Sequence, residues 1–174
     1  MRTTFLTLLL AVVVPLEALG KVTYITLQEL VQDSTFIVVA KVETTHKPLF
    51  GKRTAKALVL EVWKGKPTER VEFLASPTWT CDISEATKGE TVLLFLTQDG
   101  KTRTHRIAHS GRGRMPLHTE GGRSYVAFWT EVRLPKDTPT IAGPDPRMDF
   151  VRSVDLETIR DLVKRTLATT DNGE

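Results

Sequence analysis

Between Asp99 and Glu120 the chain carries no acidic residue, yet the window holds Lys101, Arg103, Arg106, Arg112 and Arg114 together with His105, His109 and His118. In Lys101-Thr102-Arg103-Thr104-His105-Arg106 a strand would place Lys101, Arg103 and His105 on one face. Arg112 and Arg114 follow in Gly111-Arg112-Gly113-Arg114-Met115-Pro116, where the two glycines permit unusual backbone angles. A guanidinium on such a loop is a planar fork of donors that suits carboxylate, phosphate or sulfate. Lys101, Arg103, Arg106, Arg112 and Arg114 are therefore the candidate ligand-binding residues. The partner they suit is acidic: a protein patch, a polysaccharide or a lipid headgroup. The plainer alternative is a solvated strand face and loop whose cations pair with acids brought in by the fold, the commoner outcome for a run of charge.

The histidines raise a metal reading, and it is weak. His105 and His109 lie four apart, but the residues between read as strand. There the spacing separates them by about 13 Å at ~3.3 Å per residue, too far to share one zinc ion with bonds of about 2 Å. His118 or His46 would have to fold back to complete a site, and no His-Glu-x-x-His pattern occurs. No metal and no cofactor is expected. Catalysis is equally thin. Ser110 lacks the Gly-x-Ser-x-Gly elbow. Cys81, the sole cysteine, has Asp82, Glu85 and Glu90 near it in sequence, and negative charge raises a thiol's pKa and makes it a poorer nucleophile. No catalytic residue is assigned. The alternative is an extracytoplasmic metalloprotein or hydrolase using His105, His109, His118 or Cys81. One cysteine allows no intramolecular disulfide, so Cys81 is expected as a free thiol, buried or paired with another chain in a surface assembly. Trp63, Trp79, Phe128 and Trp129 would line a groove or, more often for large aromatics in a small β-domain, fill its core.

These residues must be held by a domain that follows an export signal. Arg2, the apolar run Phe5 to Val14, Pro15 and the small residues of Ala18-Leu19-Gly20 have the three-part layout of a signal peptide over residues 1–20, with cleavage between Gly20 and Lys21. That run is about half the ~20 apolar residues a membrane-spanning helix needs. The expected product is exported, secreted or periplasmic, with no transmembrane segment once the signal is removed. Export also separates it from nucleic acid, and its aromatics do not interleave with basic residues as stacking platforms would. The net charge of +3 is mild.

Two helices are predicted. Thr26-Leu27-Gln28-Glu29 fits a capping box. Asp155 is an N-cap for a helix over 155–168, whose Leu156, Ile159, Leu162, Val163 and Leu167 recur on one stripe. A polar, flexible tail covers 169–174. Between the helices everything reads as β: Phe36 to Thr45, Ala57 to Trp63, Val71 to Ala75, Thr91 to Thr97, Lys101 to His109 and Ser124 to Leu134, with turns at Lys64-Gly65-Lys66-Pro67, Lys88-Gly89-Glu90 and Asp99-Gly100. The run Val92-Leu93-Leu94-Phe95-Leu96 predicts burial on both faces. The segment with Pro135, Pro139, Pro144 and Pro146 reads as an extended connector. The expectation is one mainly β domain over 21–168, an antiparallel barrel with a short N-terminal and a C-terminal helix.

Four pieces in order carry a family resemblance: Ser34-Thr35-Phe36-Ile37-Val38-Val39-Ala40-Lys41-Val42, then Val62-Trp63-Lys64-Gly65, then Thr80-Cys81, then Lys88-Gly89-Glu90-Thr91-Val92-Leu93-Leu94-Phe95-Leu96. Over about residues 26–98 they resemble the oligonucleotide/oligosaccharide-binding (OB) barrel of the tissue inhibitors of metalloproteinases and the netrin-like modules. The resemblance implies an OB-like fold. It does not imply protease inhibition. Those inhibitors begin with a cysteine that grips the target's zinc, whereas the mature start expected here is Lys21-Val22-Thr23-Tyr24, and their several disulfides have no counterpart. The function expected is a non-enzymatic binding module.

Overall fold

A computed structural model describes residues 24–66, 68–77, 84–98 and 104–171. The expected signal peptide with its Gly20/Lys21 cut, Trp79, Cys81, the Asp99-Gly100 turn, Lys101 and Arg103 lie outside the described residues. The elements in chain order are β1 (Ile25–Thr26), α1 (Leu27–Asp33), β2 (Phe36–His46), β3 (Thr54–Lys64), β4 (Arg70–Leu74), β5 (Thr91–Gln98), β6 (His105–Ile107), β7 (Arg114–Glu120), β8 (Arg123–Trp129), β9 (Val132–Arg133), β10 (Ile141–Ala142), β11 (Val151–Asp155) and α2 (Leu156–Asp171).

Five strands close a barrel. β2 pairs with β3, β3 with β4, β4 with β6, β6 with β5, and β5 returns to β2. Every pairing is antiparallel except β4 with β6, where Phe73 meets His105 and Leu74 meets Arg106 in parallel. A five-stranded ring of this kind is OB-like, as expected. Alternation of side chains along each strand sends Phe36, Val38, Ala40, Val42, Ala57, Val71, Phe73, Val92, Leu94, Leu96 and Ile107 to one buried cluster inside it. At the turn after β3, Gly65 has φ +98°, and a Cβ there would stand 2.2 Å from the Phe36 ring. Only glycine fits that corner.

The intervening residues of β2 and β5 point the other way. Ile37, Val39, Leu93 and Phe95 build a second core with Leu30, Val31, Val126, Phe128, Ile159 and Val163. This buries all of Val92 to Leu96, and it is where both helices dock. Thr26 caps α1, its side chain accepting from the Glu29 amide (3.1 Å) while the Glu29 carboxylate accepts from the Thr26 amide (2.8 Å). The Thr26 amide and, at 2.7 Å, its hydroxyl both donate to the Glu29 carboxylate and hold it below its ordinary pKa. Asp155 caps α2 by accepting from the amides of Glu157 and Thr158 (3.0 and 3.3 Å).

Several boundaries differ from expectation. α2 runs to Asp171, past the predicted end at 168; Thr169 and Thr170 donate their hydroxyls to the carbonyls of Arg165 and Thr166 and so satisfy their polarity within the helix. β6 stops at Ile107, because the chain then enters a left-handed turn. The stretch Ser124 to Leu134 breaks after Trp129, and its end forms β9, which pairs in parallel with β1. Four strands had no sequence reading, the two-residue β1 and three in the outer sheet. β7 lies against β5, β11 against β8, and β10, inside the proline-rich connector, against β11, so the sheet extends from the barrel in the order β5-β7-β8-β11-β10. No helix among the described residues is long and apolar enough to cross a membrane.

Candidate functional site: a basic recess at the barrel seam

The parallel seam between β4 and β6 positions the site. Phe73 and Ile107 point into the barrel, so their neighbours Leu74 and Arg106 face outward at the seam. The β2–β3 loop closes over the same place: the Ala75 amide donates to the Arg53 carbonyl (3.0 Å), carrying the β3–β4 ladder one step past the strands and placing Lys52 beside them. Lys52, Arg106, Ser76, Ser84 and Ser110 then surround a recess of about 130 Å³ floored by Leu74 and Ile107. That is room for about four waters at ~30 Å³ each. No carboxylate is among its described lining residues. Lys52 and Arg106 bring positive charge to a small hollow ringed by serines, chemistry that suits an oxyanion.

Ser110 is held there by an uncommon backbone. His109, Ser110 and Gly111 have φ of 49°, 54° and 91°, a left-handed turn in which two of the three residues carry a Cβ. The turn is pinned internally: the Arg112 amide donates to the His109 carbonyl (3.2 Å), and the Gly113 amide to that of Ala108 (3.1 Å). It is also stitched to β5, through the Ala108 amide to the Phe95 carbonyl (2.9 Å) and the Phe95 amide to the Gly113 carbonyl (2.8 Å). A Cβ on Gly113 would stand 2.6 Å from the Phe95 carbonyl oxygen, which explains glycine at that position. His109 Nε2 lies 2.8 Å from Asp33 Oδ2 at the end of α1, anchoring the turn from outside.

Of the singled-out cations within the described residues, Arg106, Arg112 and Arg114, Arg106 alone lines this recess. Arg112 and Arg114, expected on display, are turned inward. Arg112 is 9% exposed and its Nη2 meets Glu131 Oε2 at 2.6 Å. Arg114 and Glu90 form a two-pronged ion pair, each side chain 14% exposed, with Nε donating to Oε1 at 3.1 Å. Both pairs fasten the turn and β7 to the rest of the fold, so these arginines hold structure rather than meet a partner. Lys52 was not singled out; the signal for it is the basic pair after Gly51 in a stretch with no acid from Thr44 to Leu60.

The histidines are kept apart by separate partners. The His105 ring packs 5.6 Å from Phe36, and burial lowers its pKa. His109 is taken by Asp33, and His118 stacks on Tyr125 at 5.7 Å. Among the described residues no three His, Cys, Asp or Glu side chains gather as a metal ion requires. Among the described residues the aromatics share no groove either: Phe128 is core, Trp129 packs on Phe150 at 4.8 Å, and Trp63 lies under Arg160. A wider cleft of about 520 Å³ opens elsewhere on the barrel near Phe36, Gly65, Arg70, Glu72, Gln98 and His105. Its Arg70 is committed to Glu43 and Glu69.

No protein-family model matches the chain, and no curated protein matches it in sequence. The recess therefore rests on its own geometry.

Proposed function

We propose that this chain is an exported, non-enzymatic binding module that takes an acidic group of its partner at the Lys52/Arg106 recess. The single observation behind this reading is that the fold brings two cations 54 positions apart in sequence to one hollow with three serines and no described carboxylate. The partner's group is a carboxylate, phosphate or sulfate, carried by an acidic protein, a polysaccharide or a lipid headgroup. The signal-peptide layout of residues 1–20 supports export. The ring order supports reading the barrel as similar to that of the netrin-like modules, with protease inhibition left aside. The second reading is a metalloprotein or hydrolase using the His105/His109/His118 or Cys81 region; Cys81 lies outside the described residues, and each of the three histidines has its own neighbour.

The test is the double variant Lys52→Ser/Arg106→Ser, assayed for retention on a soluble polyanion such as dextran sulfate. Losing two charge-assisted contacts should weaken binding by about tenfold or more, with a greater loss for the parent than for the variant as salt rises. Equal retention of variant and parent would remove the recess from the account.

A further inference from the structure

The loop that supplies Lys52 ends in an apolar tip. His46 pairs with Thr54 at the end of the β2–β3 hairpin, and Lys47-Pro48-Leu49-Phe50-Gly51-Lys52-Arg53 connects them. Leu49 is 92% exposed and Phe50 87%, the two most exposed large apolar side chains among the described residues. Gly51, at φ +112°, turns the chain back immediately after them. Among the described residues nothing covers this pair. Its surroundings are basic: His46, Lys47, Lys52, Arg53 and Lys56 lie in a stretch with no acid between Glu43 and Glu61. The carboxylates near it are already engaged, Glu43 with Arg70, Glu72 with Lys56 and Glu85 with Arg53. Lys47 and Lys52 make no ion pair among the described residues.

We infer that this loop anchors the protein to a bilayer bearing anionic lipids: Leu49 and Phe50 enter the acyl boundary while Lys47 and Lys52 remain at the level of the phosphates. A protein partner commonly requires about 800 Å² of complementary surface on each side, and a convex tip with two apolar side chains does not offer that. A bilayer asks only for apolar side chains that can leave water and cations that can stay with the headgroups. This assignment rests on the recess reading, because Lys52 belongs to both; it names the acidic group as a lipid phosphate.

The experiment uses the exported form of the protein, purified after signal removal, and sediments it with vesicles of phosphatidylcholine alone or mixed with phosphatidylglycerol. Binding is expected to the mixed vesicles only. Leu49→Ser/Phe50→Ser should weaken it by about tenfold or more, with an unchanged melting temperature because both side chains already face water. Lys52→Ser/Arg106→Ser should weaken it as well. If the parent ignores the mixed vesicles, or the tip variant sediments as the parent does, the anchor is overturned. Parent that ignores vesicles but still binds dextran sulfate through Lys52 and Arg106 overturns the anchor and leaves the recess standing. Parent that binds neither removes both.

Discussion

Ser110 shows how much of the site is set by a single residue's backbone. A side chain in the left-handed region costs about 1–2 kcal/mol relative to the right-handed one, and glycine escapes that cost. Ser110 carries it at φ 54° while lining the recess. The variant Ser110→Gly should therefore be more stable by about 1 kcal/mol, seen as a higher denaturant midpoint at unchanged m-value, while its retention on polyanion falls or stays level. A drop in stability would mean that the hydroxyl's contacts outweigh the strain. At this scale the sequence was only partly legible. Arg106 could be picked out from its basic window. The inward turn of Arg112 and Arg114 could not, because their partners Glu131 and Glu90 lie on separate segments, and only the tertiary fold brings them within reach.

At the scale of elements, the turn 108–113 decides which strand β5 may pair with. It inserts between β6, which meets Leu96 to Gln98, and β7, which meets Val92 to Leu94, so one strand serves both the barrel and the outer sheet. The Arg112–Glu131 pair sits where that turn meets the β8–β9 connection. Removing one partner leaves the other charge in a site largely shut from water, and such losses run to about 3–5 kcal/mol for fully buried pairs. Glu131 retains some exposure, so Arg112→Ala is expected near the lower end of that range, and the double variant Arg112→Met/Glu131→Leu should recover most of it. Urea unfolding of the three proteins measures the difference. If Arg112→Ala unfolds with the parent, the pair is not holding the turn. The helices and long strands were legible because caps and apolar periodicity are local signals. β7 was hidden because Pro116 interrupts its apolar residues and it lacks a clear alternation, and β10 is only two residues long.

Across the whole molecule, β2 and β5 each feed two cores, with alternate residues facing the barrel interior and the helix side. Neither core can then dissolve without unpicking a strand of the other. Phe73→Ala inside the barrel and Ile159→Ala in α2 should each cost about 2–5 kcal/mol, and both should still unfold in one transition followed identically by far-ultraviolet dichroism and tryptophan fluorescence. Separate transitions would show that the barrel stands independently of its helices. The barrel could be anticipated because its strands alternate so regularly, whereas the outer sheet depends on pairings between distant short segments. Ring closure has a further effect. At that end each strand of the ring has a neighbour on both sides, and the sheet's other end finishes in Ile141–Ala142, bracketed in sequence by Pro139 and Pro144. A border so brief, with proline on either side unable to donate, gives a second molecule almost nothing to zip onto. At high concentration, among many copies of itself, the folded chain is thereby kept from stacking edge to edge.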